Sequence, residues 1–228
     1  MEQAKNMESQ QHQQVNQPVA KPNEQGSVSV QGHIKIFDPK TQEVFVNKRN
    51  AIHYENFSLA LARSLSNQGE GTIAEMVFGN GGTRVDETGV ITYLPPNTTG
   101  QNADLYNQTY AKVVDDNSAA DTDPQANKMT VLHTSGTVYT DILVSCLLDY
   151  GEPSGQAAFD NDTTLNGTYT FDELALFGRS TDGTTGITTT APMLTHVIFH
   201  PVQKSLNRLI QVNYTVRIQT LTNLSSIG

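Results

Sequence analysis

Few residues in this chain have the spacing that chemistry requires, and the sharpest are His196 and His200, which flank Val197-Ile-Phe199. On a helix, two histidines four residues apart suit zinc. The metalloprotease pattern, however, needs Glu directly after the first histidine, and Val197 stands there. On a strand both fall on one face, about 13 Å apart at roughly 3.3 Å per residue, too far to share one ion. The expectation is structural histidines; His12, His33, His53 and His133 are scattered without ligand spacing. Asp160-Asn-Asp162 opens like a calcium loop, but Leu165 stands where glycine is required and Phe171 where a bidentate glutamate is required. An irregular calcium site drawn from Asp115, Asp116, Asp121 or Asp123 stays open beside the simpler reading of a solvated acidic loop.

Nucleophiles fare no better. Cys146 lies inside the apolar run Ile142–Leu148 with no base beside it, which predicts a small buried hydrophobe. No Gly-x-Ser-x-Gly is present. Gly79-Asn-Gly-Gly82 lacks the Lys-Ser/Thr of a phosphate loop and reads as a tight turn where positive φ is cheap. Asp172 and Glu173 are adjacent in a strand pattern, so alternation sends them to opposite faces and prevents them from working as an acid–base pair. The residues therefore predict no catalytic, cofactor-binding or metal-binding set, hence no enzyme and no cofactor.

Bulk properties narrow the partners. The 228 residues carry a net charge of −9 with a pI near 5.0, and only 16% are charged. Nucleic-acid binding needs clustered Lys and Arg, and none exists. No apolar stretch approaches the roughly 18–20 residues of a membrane span, and the polar N-terminus has no secretory pattern, so the expected site of synthesis is the cytoplasm. A single cysteine permits no internal disulfide, which fits a reducing compartment. An uncharged polar surface suits lateral packing against copies or partners.

The elements that must position these groups are mostly strands. His33–Phe37 and Glu43–Asn47 flank Asp38-Pro-Lys-Thr-Gln42, a turn in which proline presets φ. Tyr54, Phe57, Leu61 and Leu65 recur at helical spacing up to Asn67-Gln-Gly69; the N-cap is expected at Asn50, or at Asn56 or Ser58 if the helix starts later. Phe57, Leu61 and Leu65 are expected to pack on strands bearing Leu174, Leu176, Ile198, Val212, Tyr214 and Val216. Ile73–Phe78 reads as a strand, and Lys128–His133 with Val138–Leu148 as a second hairpin around Thr134-Ser-Gly136. Three strands follow near Tyr169–Gly178, Met193–Phe199 and Leu209–Ile218. In the last, Ile210, Val212, Tyr214, Val216 and Ile218 alternate with polar residues, the signature of one buried and one wet face. Residues 1–27 hold seven glutamines and no aromatic residue, which predicts an extended N-terminal arm, disordered or ordered by a partner. Residues 28–228 then form an antiparallel β-sandwich, mainly β, with one packed α-helix and long loops at 83–127 and 149–168.

The order of these elements carries a resemblance. A helix and a glycine turn, then Phe171-Asp-Glu-Leu-Ala-Leu-Phe-Gly178, Leu194-Thr-His-Val-Ile-Phe-His-Pro-Val-Gln-Lys-Ser205 and an alternating strand resemble the small adaptor domains of tailed-bacteriophage virions. The pattern is similar to the N-terminal domain of phage tail-collar fibre proteins, over roughly residues 50–218. Glu173, Leu174, Leu176 and Phe177 match that domain's E-x-G-L-F strand, with Ala175 in place of its glycine, and Lys204 sits where its turn lysine would be. The resemblance implies a structural virion protein, made in the host cytoplasm and carried in the virion. It implies an oligomerising adaptor at the neck, collar or tail, bound to copies of itself and to portal, neck, tail or capsid proteins. A capsid decoration or vertex protein is the alternative within the particle. A glycan-binding module is a further alternative, weakened by the absence of tryptophan.

Overall fold

The computed structural model describes residues 26–153, 168–180, 185–186 and 191–222. The expected arm and the Asp160-Asn-Asp162 stretch lie outside the described residues, apart from the arm's last two. The strands are β1 (Gly26–Phe37), β2 (Val44–Ile52), β3 (Ile73–Gly79), β4 (Thr83–Val85), β5 (Ile91–Tyr93), β6 (Gln108–Val113), β7 (Lys128–His133), β8 (Tyr139–Leu148), β9 (Thr168–Gly178), β10 (Thr195–Ser205) and β11 (Ile210–Thr222). Among the described residues one α-helix, α1 (Tyr54–Leu65), and a 3₁₀ turn at Gly69–Gly71 interrupt them. The β1–β2 turn forms as its residues predict: Asp38 Oδ1 accepts from the N–H of Lys40 at 2.8 Å and of Thr41 at 3.1 Å. Residues 83–127, expected as a long connection, contain β4, β5 and β6.

Nine strands form one antiparallel sheet in the order β6-β3-β9-β10-β2-β1-β11-β8-β7, and β4 pairs with β5 beside it. The sheet curls so that its two halves face each other across a common core, as the two layers of a sandwich would. They are joined where β10 meets β2, through Thr195↔Ile52 and His196↔Ala51. Met76 and Phe78 of β3, Leu174 and Leu176 of β9, Val144 and Cys146 of β8 and Val212 and Tyr214 of β11 share this core. The alternation of β11 holds over Ile210, Val212, Tyr214 and Val216, all fully buried, while Ile218 is partly buried against them. A smaller cluster on the other face of β3 and β9 joins Val77, Ala175, Phe177 and Met193 to Leu105.

The helix departs from its expected face. Phe57 and Ala60 are buried, Leu61 is half-buried, and Leu65 is 81% exposed. Its N-cap is His53, whose Nδ1 accepts the Asn56 N–H at 3.2 Å, because Asn50 is still within β2. The helix thus meets the sheet with its first two turns, and its last turn projects past the core.

Candidate functional site

Asp172 and Glu173 lie in β9 between apolar neighbours, and both are buried. Regular pleating would send them to opposite faces. The pleat breaks here: Phe171 and Leu174 both face the main core. Opposite them β10 bulges, with Ile198 paired to Glu173 and Val202 to Phe171. Both carboxylates therefore reach the turn after β3, which corrects the expectation from alternation. Asp172 accepts from the N–H groups of Gly82 and Thr83, each at 2.9 Å, and from the Thr83 hydroxyl. Glu173 Oε1 accepts from Gly81 N–H at 3.0 Å and Asn107 N–H at 2.8 Å. Its Oε2 accepts from Tyr106 N–H and from His196 Nε2, both at 3.0 Å.

His196 is fully enclosed, and its Nδ1 accepts the Asn97 N–H at 2.8 Å. That bond places the ring proton on Nε2, the nitrogen facing Glu173. His53 repeats the arrangement: with Nδ1 capping α1, its Nε2 donates to Gly100 O at 2.9 Å. Asn56 Nδ2 adds bonds to Met193 O at 2.9 Å and Gln101 O at 3.2 Å. Two histidines, a glutamate and an asparagine thus pin the segment from Asn97 to Asn107 onto the sheet. A general acid or base must reach a reacting atom. Here the dyad has no exposed surface and both ring nitrogens have partners, so the arrangement works as a clasp. Burial raises the Asp172 carboxyl above its ordinary value, opposed by its bonds from Thr83 and Gly82.

The glycines of the turn are needed for space rather than for positive φ. A Cβ on Gly79 would stand 2.5 Å from Asn107 O and 2.6 Å from Glu173 Oε1, and one on Gly82 would stand 2.9 Å from Ile198 Cγ2. His200 is exposed, with Nδ1 3.2 Å from the Tyr93 hydroxyl, so the β10 bulge separates it from His196.

A second polar group gathers at the ends of β6, β8 and β10. Lys204 is fully buried and donates to Asp149 O at 2.9 Å and Ser205 O at 3.0 Å. Burial pushes its ammonium down to about 8. Lys112 donates to Leu147 O and to Glu152, whose Oε2 also accepts the Asp149 N–H at 2.9 Å. Both lysines hold main-chain carbonyls in place. Cys146 is buried as expected, and burial pushes its thiol up to about 12.

These bonds also bring the two edges of the curled sheet together at one end. Lys112 of β6 reaches Leu147 of β8, and Asn127 Oδ1 accepts the Leu147 N–H at 3.0 Å. At the other end no described residue closes the seam. β7 is one of the sheet's two edge strands, with Val131 68% and Leu132 48% exposed. Beside it is a cavity of about 250 Å³ lined by Phe57, Leu61, Met129, Val131, Ile142 and Ile218 among others, with no charged side chain.

The acidic loop is divided among separate turns: Asp115 Oδ1 accepts Asn117 N–H at 3.1 Å while Oδ2 meets Arg179, and Asp121 Oδ1 accepts Asp123 N–H at 2.8 Å. Among the described residues no three acidic, histidine or cysteine side chains converge as ligands. Sequence reasoning missed the joint roles of Glu173, His196, His53 and Lys204. The available signal was ionisable residues inside apolar runs, which must find partners when buried. No family model matches this chain, and no characterised protein or solved structure shows detectable similarity to it.

Proposed function

We propose that this chain is a non-enzymatic structural component of a tailed-bacteriophage virion, an oligomerising adaptor at the neck, collar or tail. The observation that carries the reading is where its ionisable residues go. Glu173 and Lys204, which match the adaptor pattern, are committed to main-chain groups inside the fold. Available for contact is a strand edge over an apolar seam, on a chain of which only 16% is charged. Strand edges and apolar seams serve association.

Immunogold labelling of particles purified from a host lysate tests the proposal. Label at the neck, collar or tail supports it. Label confined to capsid vertices favours the decoration alternative, and absence of the chain from purified particles overturns the virion reading.

A further inference from the structure

Among the described residues the sheet stops at an unpaired edge over an apolar floor, and 25 residues precede the first described strand. We infer that the seam beside β7 accepts an extended strand from the N-terminal arm of a second copy, drawn from residues 1–17. This inference rests on the structural reading above and specifies one contact within it.

The acceptor has the two parts that strand addition needs. Main-chain groups on the outer side of β7 supply the ladder, and pockets for alternate side chains supply selectivity. Met129 and Val131, alternate residues of β7, line the cavity together with Ile142 and Ile218. No charge in the lining has to be neutralised by the incoming chain.

The donor is limited by proline. Pro18 and Pro22 have no N–H to give to a ladder. Residues 1–17 contain no proline and three charged side chains, Glu2, Lys5 and Glu8. In extended form the side chains that share a face from Met7 to Val15 (Met7, Ser9, Gln11, Gln13, Val15) are all uncharged. Residues 18–25 then serve as a connector spanning up to about 28 Å.

Chain direction selects a second copy. Val30 pairs with Ile218, Ile218 with Thr140, and Thr140 with His133, so Gly26 lies beyond the His133 end of β7. An arm folding back over its own sheet meets that end first and runs parallel to β7. Every described strand pairing is antiparallel, and parallel pairing is slightly weaker per residue. An arm from a neighbouring molecule is free to enter from the Lys128 end and pair antiparallel. With a net charge of −9 on each chain, a junction nearly free of charge also limits repulsion between copies.

The test follows the mass of the full chain by light scattering over a range of concentrations, beside a variant lacking residues 1–17 and Val131→Lys. Val131 is exposed enough to change without disturbing the core. Both variants should weaken self-association at least tenfold while the thermal midpoint stays nearly constant. In a second arm, Thr130→Cys protein is mixed with Gln10→Cys, His12→Cys or Gln14→Cys protein and oxidised; buried Cys146 does not compete. Disulfide-linked pairs joining the two populations are expected. Undiminished association of the truncated chain overturns the inference and leaves the structural reading standing. Cross-linking within single chains carrying both cysteines, with none between chains, overturns the choice of a second copy. A full chain that stays monomeric at every concentration sinks the inference and the oligomeric part of the structural reading together.

Discussion

Glu173 and His196 meet at 3.0 Å in a space where neither side chain has any exposed surface. The bond joins β9 to β10 across the bulge. Through the remaining atoms of both residues it also fixes three stretches of main chain, at Gly81, Asn97 and Tyr106–Asn107. Losing one partner of a buried pair costs more than the pair contributes, because the other partner is left unsatisfied. Glu173→Gln puts an amide N–H against donors that the carboxylate satisfied and, at about 1–3 kcal/mol for each buried group left unpaired, should cost about 2–5 kcal/mol. Urea denaturation measures it; a loss under about 1 kcal/mol, ordinary for a surface site, would contradict the clasp.

The helix offers a paired test of which face carries energy. Phe57→Ala should cost about 3–5 kcal/mol, as for a buried aromatic residue. Leu65→Ala should stay within about 0.5 kcal/mol, because Leu65 is 81% exposed. Equal costs at the two positions would mean that the last turn is packed in solution.

Two glycines separate crowding from backbone conformation. Gly79→Ala drives a methyl against Asn107 O, a main-chain atom that cannot rotate away, and should cost at least the 1–3 kcal/mol typical of overpacking. Gly89 has φ +84° with nothing within 4 Å of the added atom. Gly89→Ala should cost only the left-handed penalty of roughly 1–2 kcal/mol. Thermal midpoints of the two variants check the order, and a milder effect at Gly79 would refute it.

Alkaline pH should unfold the protein through its buried acids. Burial lifts the Cys146 thiol from 9.0 to about 12 and raises the Tyr110 and Tyr214 hydroxyls above 10.0. For each, the folded value exceeds the unfolded one, so its stability is intact below the unfolded value and lost as pH climbs toward the folded one. Lys204 acts in the opposite sense. Lowered from 10.5 to about 8, it costs stability at neutral pH, and that cost fades as pH rises between those values. The midpoint should therefore rise slightly from about pH 8 to near pH 9.0, hold while the thiol and the lysine offset each other, and fall above 10.0, where the unfolded tyrosines also ionise and the three acids outweigh one lysine. Cys146→Ala and Tyr214→Phe should each flatten that fall in scans from about pH 7 to about pH 11. An unchanged slope in both variants would refute the assignment.

Association should tolerate salt. With an uncharged seam and few surface charges, self-association followed by mass should change little between about 0.05 and 0.5 M salt, where the Debye length shrinks from roughly 14 to 4 Å. Dissociation over that range would point instead to docking through the acidic Asp115–Asp123 stretch.

How much of this was legible in the sequence depends on how local each cause is. The β11 strand was readable because a single buried face writes period two into Ile210, Val212, Tyr214 and Val216. The β1–β2 turn was readable because Asp38 and Pro39 build it from their own side chains. The helix was readable as a helix, but not its contact face, since the point where the sheet ends beneath Leu65 is set by other strands. His53 escaped as a cap because histidine is outside the usual capping set. The pairing of Asp172 and Glu173 on one turn was hidden because the bulge responsible lies on β10, a different strand. The open seam follows from strand order, which places β3 beside β9 and leaves β7 outermost, and no short window of residues encodes that order.

The crease between the halves of the sheet gives the molecule a directional mechanical response. Among the described residues the ladder across it has two rungs, Thr195↔Ile52 and His196↔Ala51, flanked by Lys48 Nζ on Ile198 O and the His53 N–H on Leu194 O, whereas β1 and β11 are matched from Gly26↔Thr222 to Phe37↔Gln211. Tension along β1 loads that long ladder in shear, with many bonds resisting together. Tension that spreads the halves peels the crease one rung at a time, so the same fold is stiff along its strands and compliant across them.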